Sequence, residues 1–255
     1  MNLVERGDAT PVLRAAGLSR SFDGLDALRD VSFAVQAGEV VAMIGPNGAG
    51  KSTCFNLIGG QLRAEAGTVT LRGARIDGLP TRAIARAGVA RTFQVAATFA
   101  SMTVRENVQM ALVARDRETG RVTARANTLH VAEAEAILAR IGIAGLAGQG
   151  CATLPYGDAK RVEIALALAN APVLLLMDEP TAGMPLAARH GLMQLAVDLA
   201  RRDRIAVLFT EHDMDVVFGY ADRVIVLDRG RLIAEGRPAA IRADARVQAV
   251  YLGTD

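Results

Sequence analysis

Cysteine is scarce in this sequence. Its two copies, Cys54 and Cys151, lie far apart and match no CxxC or Cys/His metal spacing, so neither a disulfide framework nor a zinc site is expected. A reducing cytoplasm fits that usage. An excess of one charge is missing as well: 29 basic and 27 acidic residues are mixed along the chain for a net charge of +2. There is therefore no basic block of the kind that electrostatic nucleic-acid binding requires, and nucleic acid is not an expected partner. Long apolar runs are absent too. The longest, residues 164–177, is interrupted by Asn170 and Pro172 and is too short to span a bilayer. The opening MNLVERGDATPVLRAAG mixes charges and has no apolar leader region, so no secretory signal is expected. No internal repeat, low-complexity tract or long heptad array is visible.

What remains is a globular chain of 255 residues, 51% hydrophobic, long enough for one large core or two closely joined lobes. Strand-like runs occupy 31–35, 40–44, 68–71, 173–177, 205–210 and 223–227. Several are apolar without alternation, as expected for strands buried on both faces of a mainly parallel sheet. Helical segments lie between them. One clear apolar stripe is Val131, Ala134, Leu138 and Ile141, with Glu133, Glu135 and Arg140 on the other faces. Between about residues 95 and 154 strand character gives way to helical composition, which predicts a helical lobe inserted into an α/β core. The Gly-Arg and Arg-Gly pairs near Gly73 and Gly230 read as plain hairpin turns.

Residues 45–53, Gly45-Pro46-Asn47-Gly48-Ala49-Gly50-Lys51-Ser52-Thr53, form a complete G-x-x-x-x-G-K-[ST] directly after the strand-like EVVAMI. Glycines let backbone N–H groups curl around phosphate oxygens, and the helix that follows adds the positive end of its dipole. In that reading Lys51 reaches the β- and γ-phosphates of a nucleotide and the Ser52 hydroxyl coordinates Mg²⁺. Downstream, VLLLMDEP sets Asp178 and Glu179 at the end of a buried strand. Asp178 is the metal partner there and Glu179 the general base for water, the two pointing apart because neighbours on an extended segment alternate. His212 alone of the three histidines follows a buried strand into an acidic turn, which suits a γ-phosphate sensor. His130 and His190 lie in polar helical surroundings and are expected to face solvent. LPYGDAKRVEIALA, at 154–167, opens a helix with Asp158 as N-cap or first-turn residue.

Taken in order, GPNGAGKST, Gln94 within ARTFQ, LPYGDAK, LLLMDEP and His212 within TEHDMD resemble the ATP-binding subunits of ABC transporters over nearly the whole chain. Closer similarity to the branched-chain amino-acid importer group lies in ARTFQ, EPTAGM, TEHDMDVVFGYADRVIVLDRGRLIAEG and the ending VQAVYLG. The resemblance implies a P-loop NTPase core with a mainly parallel sheet, an N-terminal antiparallel β portion and an inserted helical subdomain. The chain would then be one ABC ATPase domain, 1–94 and 168–255 forming the catalytic core and about 95–167 the helical subdomain with the signature motif. It implies ATP and Mg²⁺ as ligands, Phe22 stacking on adenine, and Gln94 at the metal and the attacking water. His212 would contact the γ-phosphate, and Tyr156, Gly157 and Asp158 would face the ATP of a partner subunit. The partners implied are a second ATPase subunit joined head to tail, two membrane-spanning permease subunits and, indirectly, an extracytoplasmic solute-binding protein. The implied location is cytoplasmic, peripheral on the inner face of the cell membrane.

The sequence departs from the family at two places. Leu154-Pro155-Tyr156-Gly157-Asp158 replaces Leu-Ser-Gly-Gly-Gln, and Pro155 has neither the serine hydroxyl nor a backbone N–H. Residues 182–185, Ala-Gly-Met-Pro, end in Pro185 where many relatives carry an Asp. Both departures fall on surfaces that would meet the partner, which suggests a non-identical second ATPase. The apolar stretch VAATFASMTV, with Phe99 and Met102, reads either as lobe core or as a groove for a permease helix. The cargo stays open among branched-chain amino acids and related polar, amide or aromatic-acid solutes. Alternatives are a soluble ABC-type ATPase of nucleic-acid repair or translation and a P-loop kinase of small molecules.

Overall fold

The computed structural model describes residues 10–92, 98–116 and 128–252. Two sheets organise it. The first is antiparallel, in the order β2 (Leu25–Val35), β1 (Leu13–Phe22), β4 (Ala66–Leu71), β5 (Ala74–Arg75). The second has six strands in the order β10 (Arg231–Gly236), β9 (Arg223–Asp228), β3 (Val40–Ile44), β8 (Ala206–Thr210), β7 (Leu174–Asp178), β6 (Val89–Thr92). All its pairings are parallel except that of the edge strand β10 with β9.

Every residue of β3 and β8 is buried. Val40, Ala42 and Ile44 face one core, Val41 and Met43 the other, because successive side chains leave a strand on opposite sides. The Val41 side packs against the antiparallel sheet and α1 (Lys51–Ile58), with Phe55 and Ile58 fully buried. The Val40 side packs against the remaining larger helices. These include α3 (Val104–Asp116), α4 (Val131–Arg140), α5 (Tyr156–Ala169), α6 (Leu186–Asp203) and α7 (Met214–Tyr220). A strand covered on both faces has no reason to alternate, which is why its sequence is continuously apolar.

Between β6 and β7 the described residues are helical or irregular. There α3, α4 and α5 pack on one another through Val108, Leu112, Ala134, Leu138 and Val162. The stripe on α4 buries Ala134, Leu138 and Ile141 and also Ile137, while Val131 is half-buried. Smaller α-helices among the described residues are α2 (Thr81–Ala87), α8 (Pro238–Ala243) and α9 (Ala245–Leu252).

Four strands had little or only partial sequence signal. β1 and the first half of β2 carry charges and bulges in their pairing, and Asp23-Gly24 closes their hairpin with the two positive φ values (49° and 81°) that a type I′ turn requires. β6 and β10 are the two edges of the six-stranded sheet, where a single neighbour leaves less surface to bury.

Candidate active site

Strands β3, β8 and β7 are adjacent and parallel, so their carboxyl ends share one edge of the sheet. The phosphate-loop residues follow β3, His212 follows β8 and Glu179 follows β7. Segments more than a hundred residues apart in sequence thus meet where an open α/β sheet offers a ligand crevice.

The loop from Gly45 to Gly50 is built against its neighbours. A Cβ on Gly45 would lie 2.2 Å from the Leu227 carbonyl oxygen, and one on Gly50 2.5 Å from that of Ala27. Asn47 and Gly48 are exposed at its tip, Pro46 is half-buried and Ala49 is buried. Lys51 and Ser52 open α1, with the Ser52 side exposed and Thr53 half-buried. The Lys51 ammonium is buried and donates to the carbonyls of Gly45 (2.6 Å) and Pro46 (3.1 Å). Burial holds its pKa below the ordinary value, opposed by the charges of Glu179 and Asp178.

The turn at Gly230 is more than hairpin punctuation. Its N–H donates to the Ala49 carbonyl (3.0 Å), and its carbonyl accepts from Arg29 N–H (2.7 Å), so it wedges between the loop and β2. At φ 74°, with a would-be Cβ 2.8 Å from the Ala27 oxygen, only glycine fits. Gly230→Ala is expected to lower stability by about 2 kcal/mol in urea unfolding and to weaken nucleotide binding; an unchanged nucleotide affinity would mean that the loop does not depend on this brace.

Asp178 and Glu179 do diverge, but not by strand alternation. β7 ends at Asp178, and Glu179 has φ 45°, a left-handed conformation that a glutamate adopts only where its surroundings impose it. Thr210 imposes it here: its carbonyl and hydroxyl oxygens accept from Glu179 N–H at 3.1 and 3.0 Å, and its hydroxyl donates to Asp178 Oδ1 at 2.7 Å. Glu179 Oε1 then lies 3.0 Å from His212 Nε2.

Several residues that brace this geometry were not picked out from the sequence. Buried Glu211 accepts from Thr181 N–H (2.8 Å) and its hydroxyl (2.7 Å), joining the segment after Glu179 to the one carrying His212. Arg189 donates to the Met184 carbonyl and to Asp213, which caps α7 through the N–H groups of Asp215 and Val216. Burial raises the Asp213 pKa, but the Val216 hydrogen bond and Arg189 outweigh it and leave it below the usual carboxylate value. Adjacency to the motifs was the available signal, but a residue's neighbour in sequence gives no hint of its partner thirty residues away.

The remaining candidates fall in different places. Pro155, not Asp158, is the N-cap of α5; Asp158 sits in its first turn without a side-chain cap. Pro155 has backbone angles of −55° and 147°, the extended form its ring favours, so the helix starts one residue later. Tyr156 is exposed, and a Cβ on Gly157 would meet Ala188 and Met184 at an ordinary 3.5 Å. Phe22 ends β1, 41% exposed, under the Arg20 guanidinium. The hairpin touches the loop through Ala27 and Leu28. Gln94 lies outside the described residues. His190 is exposed, 2.7 Å from the Tyr220 hydroxyl. His130 is not solvent-facing: it sits at φ 53° before α4, 17% exposed, close to Asp116 and Glu133, because the helix start folds it back on two carboxylates. Both cysteines are free, and burial pushes the Cys54 thiol up to about 12, leaving it inert.

A cavity of about 460 Å³ lies beside this site, between the sheet edge and the helices. Phe99, Met110, Ala114, Glu163 and Leu166 line it. The stretch 95–104 therefore divides: Phe99 faces the groove, Val104 is core, and 95–97 lie outside the described residues.

A family model for the ABC transporter matches residues 28–182. The chain belongs to the ABC transporter family. A second model, branched-chain amino acid ATP-binding cassette transporter, matches residues 231–255 of this ABC ATPase. It is 39% identical to the high-affinity branched-chain amino acid transport ATP-binding protein LivG of Salmonella typhimurium, over 95% of this chain and 98% of that one. Identity is 37%, with the same shares, to BraF of Pseudomonas aeruginosa, which bears the same description. Among solved structures, an ATP-binding cassette of an ABC transporter in its ADP conformation superposes with TM-score 0.86 at 30% identity, covering 96% of this chain and all of that one. A cassette described as a dimeric post-hydrolysis state with ADP and Pi gives TM-score 0.75 at 25% identity, covering 89% and 98%. Like its relatives, this ABC ATPase is a nucleotide-binding subunit that hydrolyses ATP. Among the described residues no helix is long and apolar enough to cross a membrane.

Proposed function

We propose that this ABC ATPase drives an importer of branched-chain amino acids or a related small polar, amide or aromatic-acid solute from the inner face of the cell membrane. The carrying observation is the convergence of the Gly45–Thr53 loop, Asp178, Glu179 and His212 at one sheet edge, in a chain whose relatives are named for branched-chain amino acid transport.

Phosphate oxygens are taken by the loop N–H groups and by Lys51, whose ammonium already sits inside the loop. The oxygen donors Ser52 and Asp178 fit a hard cation, and Gln94 completes the set. Mg²⁺ there would neutralise charge developing on the phosphates. Glu179 accepts a proton from the attacking water as its oxygen bonds to the γ-phosphorus and the bond to ADP breaks, while His212 holds Glu179 and the water in line. Phe22 stacks on the adenine.

A second ATPase subunit joins head to tail, so that the Tyr156–Gly157–Asp158 helix start of one faces the ATP of the other. An α-helix leaves its first N–H groups unpaired, and these together with the dipole attract the γ-phosphate. Pro155, Tyr156 and Pro185 weaken the self-complementary version of that contact, which supports a non-identical partner. Two permease subunits dock through the groove beside Phe99, and an extracytoplasmic solute-binding protein delivers the cargo.

Purifying the tagged chain from membranes should recover two permease proteins, and a binding protein encoded with them should bind branched-chain amino acids in calorimetry. Ala114→Arg, on an exposed groove position, should lose the permeases while nucleotide binding stays unchanged. Failure to recover any membrane protein with the unaltered chain would remove the transport reading.

A further inference from the structure

Arg91 sits in the short edge strand β6, where it pairs opposite Leu176 of β7. That register puts its side chain on the α1 side of the sheet with Leu176, and two residues further along β7 the same side carries Asp178. The guanidinium exploits it. Nη2 donates to Asp178 Oδ2 at 2.9 Å, with the two side chains only 13% and 22% exposed. Nη1 donates to Asn56 Oδ1 at 2.7 Å and Gln61 Oε1 at 3.1 Å, at the carboxyl end of α1 and just beyond it. The ring of Phe55 lies 5.7 Å from the guanidinium carbon. Arg91 and Gln61 also belong to the wall of the groove.

The Asp178 carboxylate is thus gripped on both oxygens, by the Thr210 hydroxyl on Oδ1 and by Arg91 on Oδ2. A carboxylate turns freely about its last bond unless each oxygen has its own directional partner. The planar fork of arginine suits the task because it donates in two fixed directions at once, to Asp178 on one side and to Asn56 and Gln61 on the other. An ammonium in its place would supply charge without that geometry.

We propose that Arg91 is a positioning residue for the metal-side carboxylate: it fixes the orientation in which Asp178 meets Mg²⁺ and ties that orientation to the end of α1 and the wall of the groove. This rests on the reading of Asp178 as a metal partner. Residues that orient metal ligands through hydrogen bonds change metal affinity by about 10- to 100-fold when removed.

The test uses the full-length protein with ADP and Mn²⁺ as a paramagnetic substitute for Mg²⁺, free Mn²⁺ being followed by electron paramagnetic resonance. Arg91→Gln is expected to weaken Mn²⁺ binding about tenfold, and Arg91→Lys to recover only part of it. The metal concentration for half-maximal ATPase should rise more than the rate at saturating metal falls. Unchanged Mn²⁺ binding in folded Arg91→Gln would reduce the ion pair to scaffolding, and tighter binding would make Arg91 a competitor of the metal; either overturns the proposal. Should Arg91→Gln not fold, Asn56→Ala with Gln61→Ala removes the far supports alone and must weaken Mn²⁺ binding for the proposal to stand. Asp178→Asn separates the two levels. If it leaves Mn²⁺ binding intact, the metal reading of the site falls and this inference with it; if it weakens binding and Arg91→Gln does not, this inference alone falls.

Discussion

Glu179→Gln is expected to slow ATP hydrolysis by about a thousandfold while ATP still binds. Glutamine keeps the shape of glutamate and can still meet His212 Nε2, which lies 3.0 Å from the Glu179 carboxylate. The backbone at φ 45° is held by Thr210 through main-chain bonds that the substitution does not touch. Lys51 keeps its place inside the loop through the Gly45 and Pro46 carbonyls, which the substitution does not touch. What disappears is the proton acceptor proposed for the attacking water. The result should be a subunit that closes on ATP with its partner and stays closed, seen as an ATP-dependent shift to a dimer in light scattering without phosphate release. A rate within about threefold of normal would place the base elsewhere, since general-base catalysis is worth far more than that.

Gly157→Asp should have the opposite signature. The new Cβ meets Ala188 and Met184 at 3.5 Å, an ordinary contact. An acid in the first helical turn is favourable to the helix itself, so stability should stay within about 1 kcal/mol of the parent. The same charge would face the γ-phosphate held by the partner. Like charges brought together at an interface cost several kcal/mol, and about 3 kcal/mol corresponds to roughly a hundredfold loss in the closure constant. ATP affinity at the chain's own Lys51 loop, measured by fluorescent-nucleotide titration, should not change. Loss of binding and closure together would show that α5 only supports the fold.

The fold was legible where burial is two-sided. Residues 40–44, 173–177, 205–210 and 223–227 are apolar except for Thr210 and Arg223 at their ends, because each lies between two packed layers, and each falls on an observed strand. β1 was not legible, since its residues Leu13 to Phe22 mix charge, glycine and small side chains and its pairing is broken by bulges. The helical stretch was legible by composition, and the stripe on α4 faces the core as its period requires.

The site divides along the same line. A phosphate loop needs its glycines at fixed spacing and its lysine next to them, because local backbone geometry does the binding; Gly45 to Thr53 therefore announce themselves. So do Asp178, Glu179 and His212, each placed just beyond an apolar strand. No local rule could show that Glu179 turns into a left-handed conformation, that Glu211 anchors Thr181, that Gly230 braces Ala49 or that Arg91 grips Asp178. Those contacts join residues 30 to 181 positions apart, and they exist only because the sheet orders its strands β9, β3, β8, β7, β6. The sequence by itself determined which groups are the candidates for the chemistry; the tertiary structure decided how they are aimed, because hydrogen bonds between distant segments are set by strand order and not by spacing along the chain.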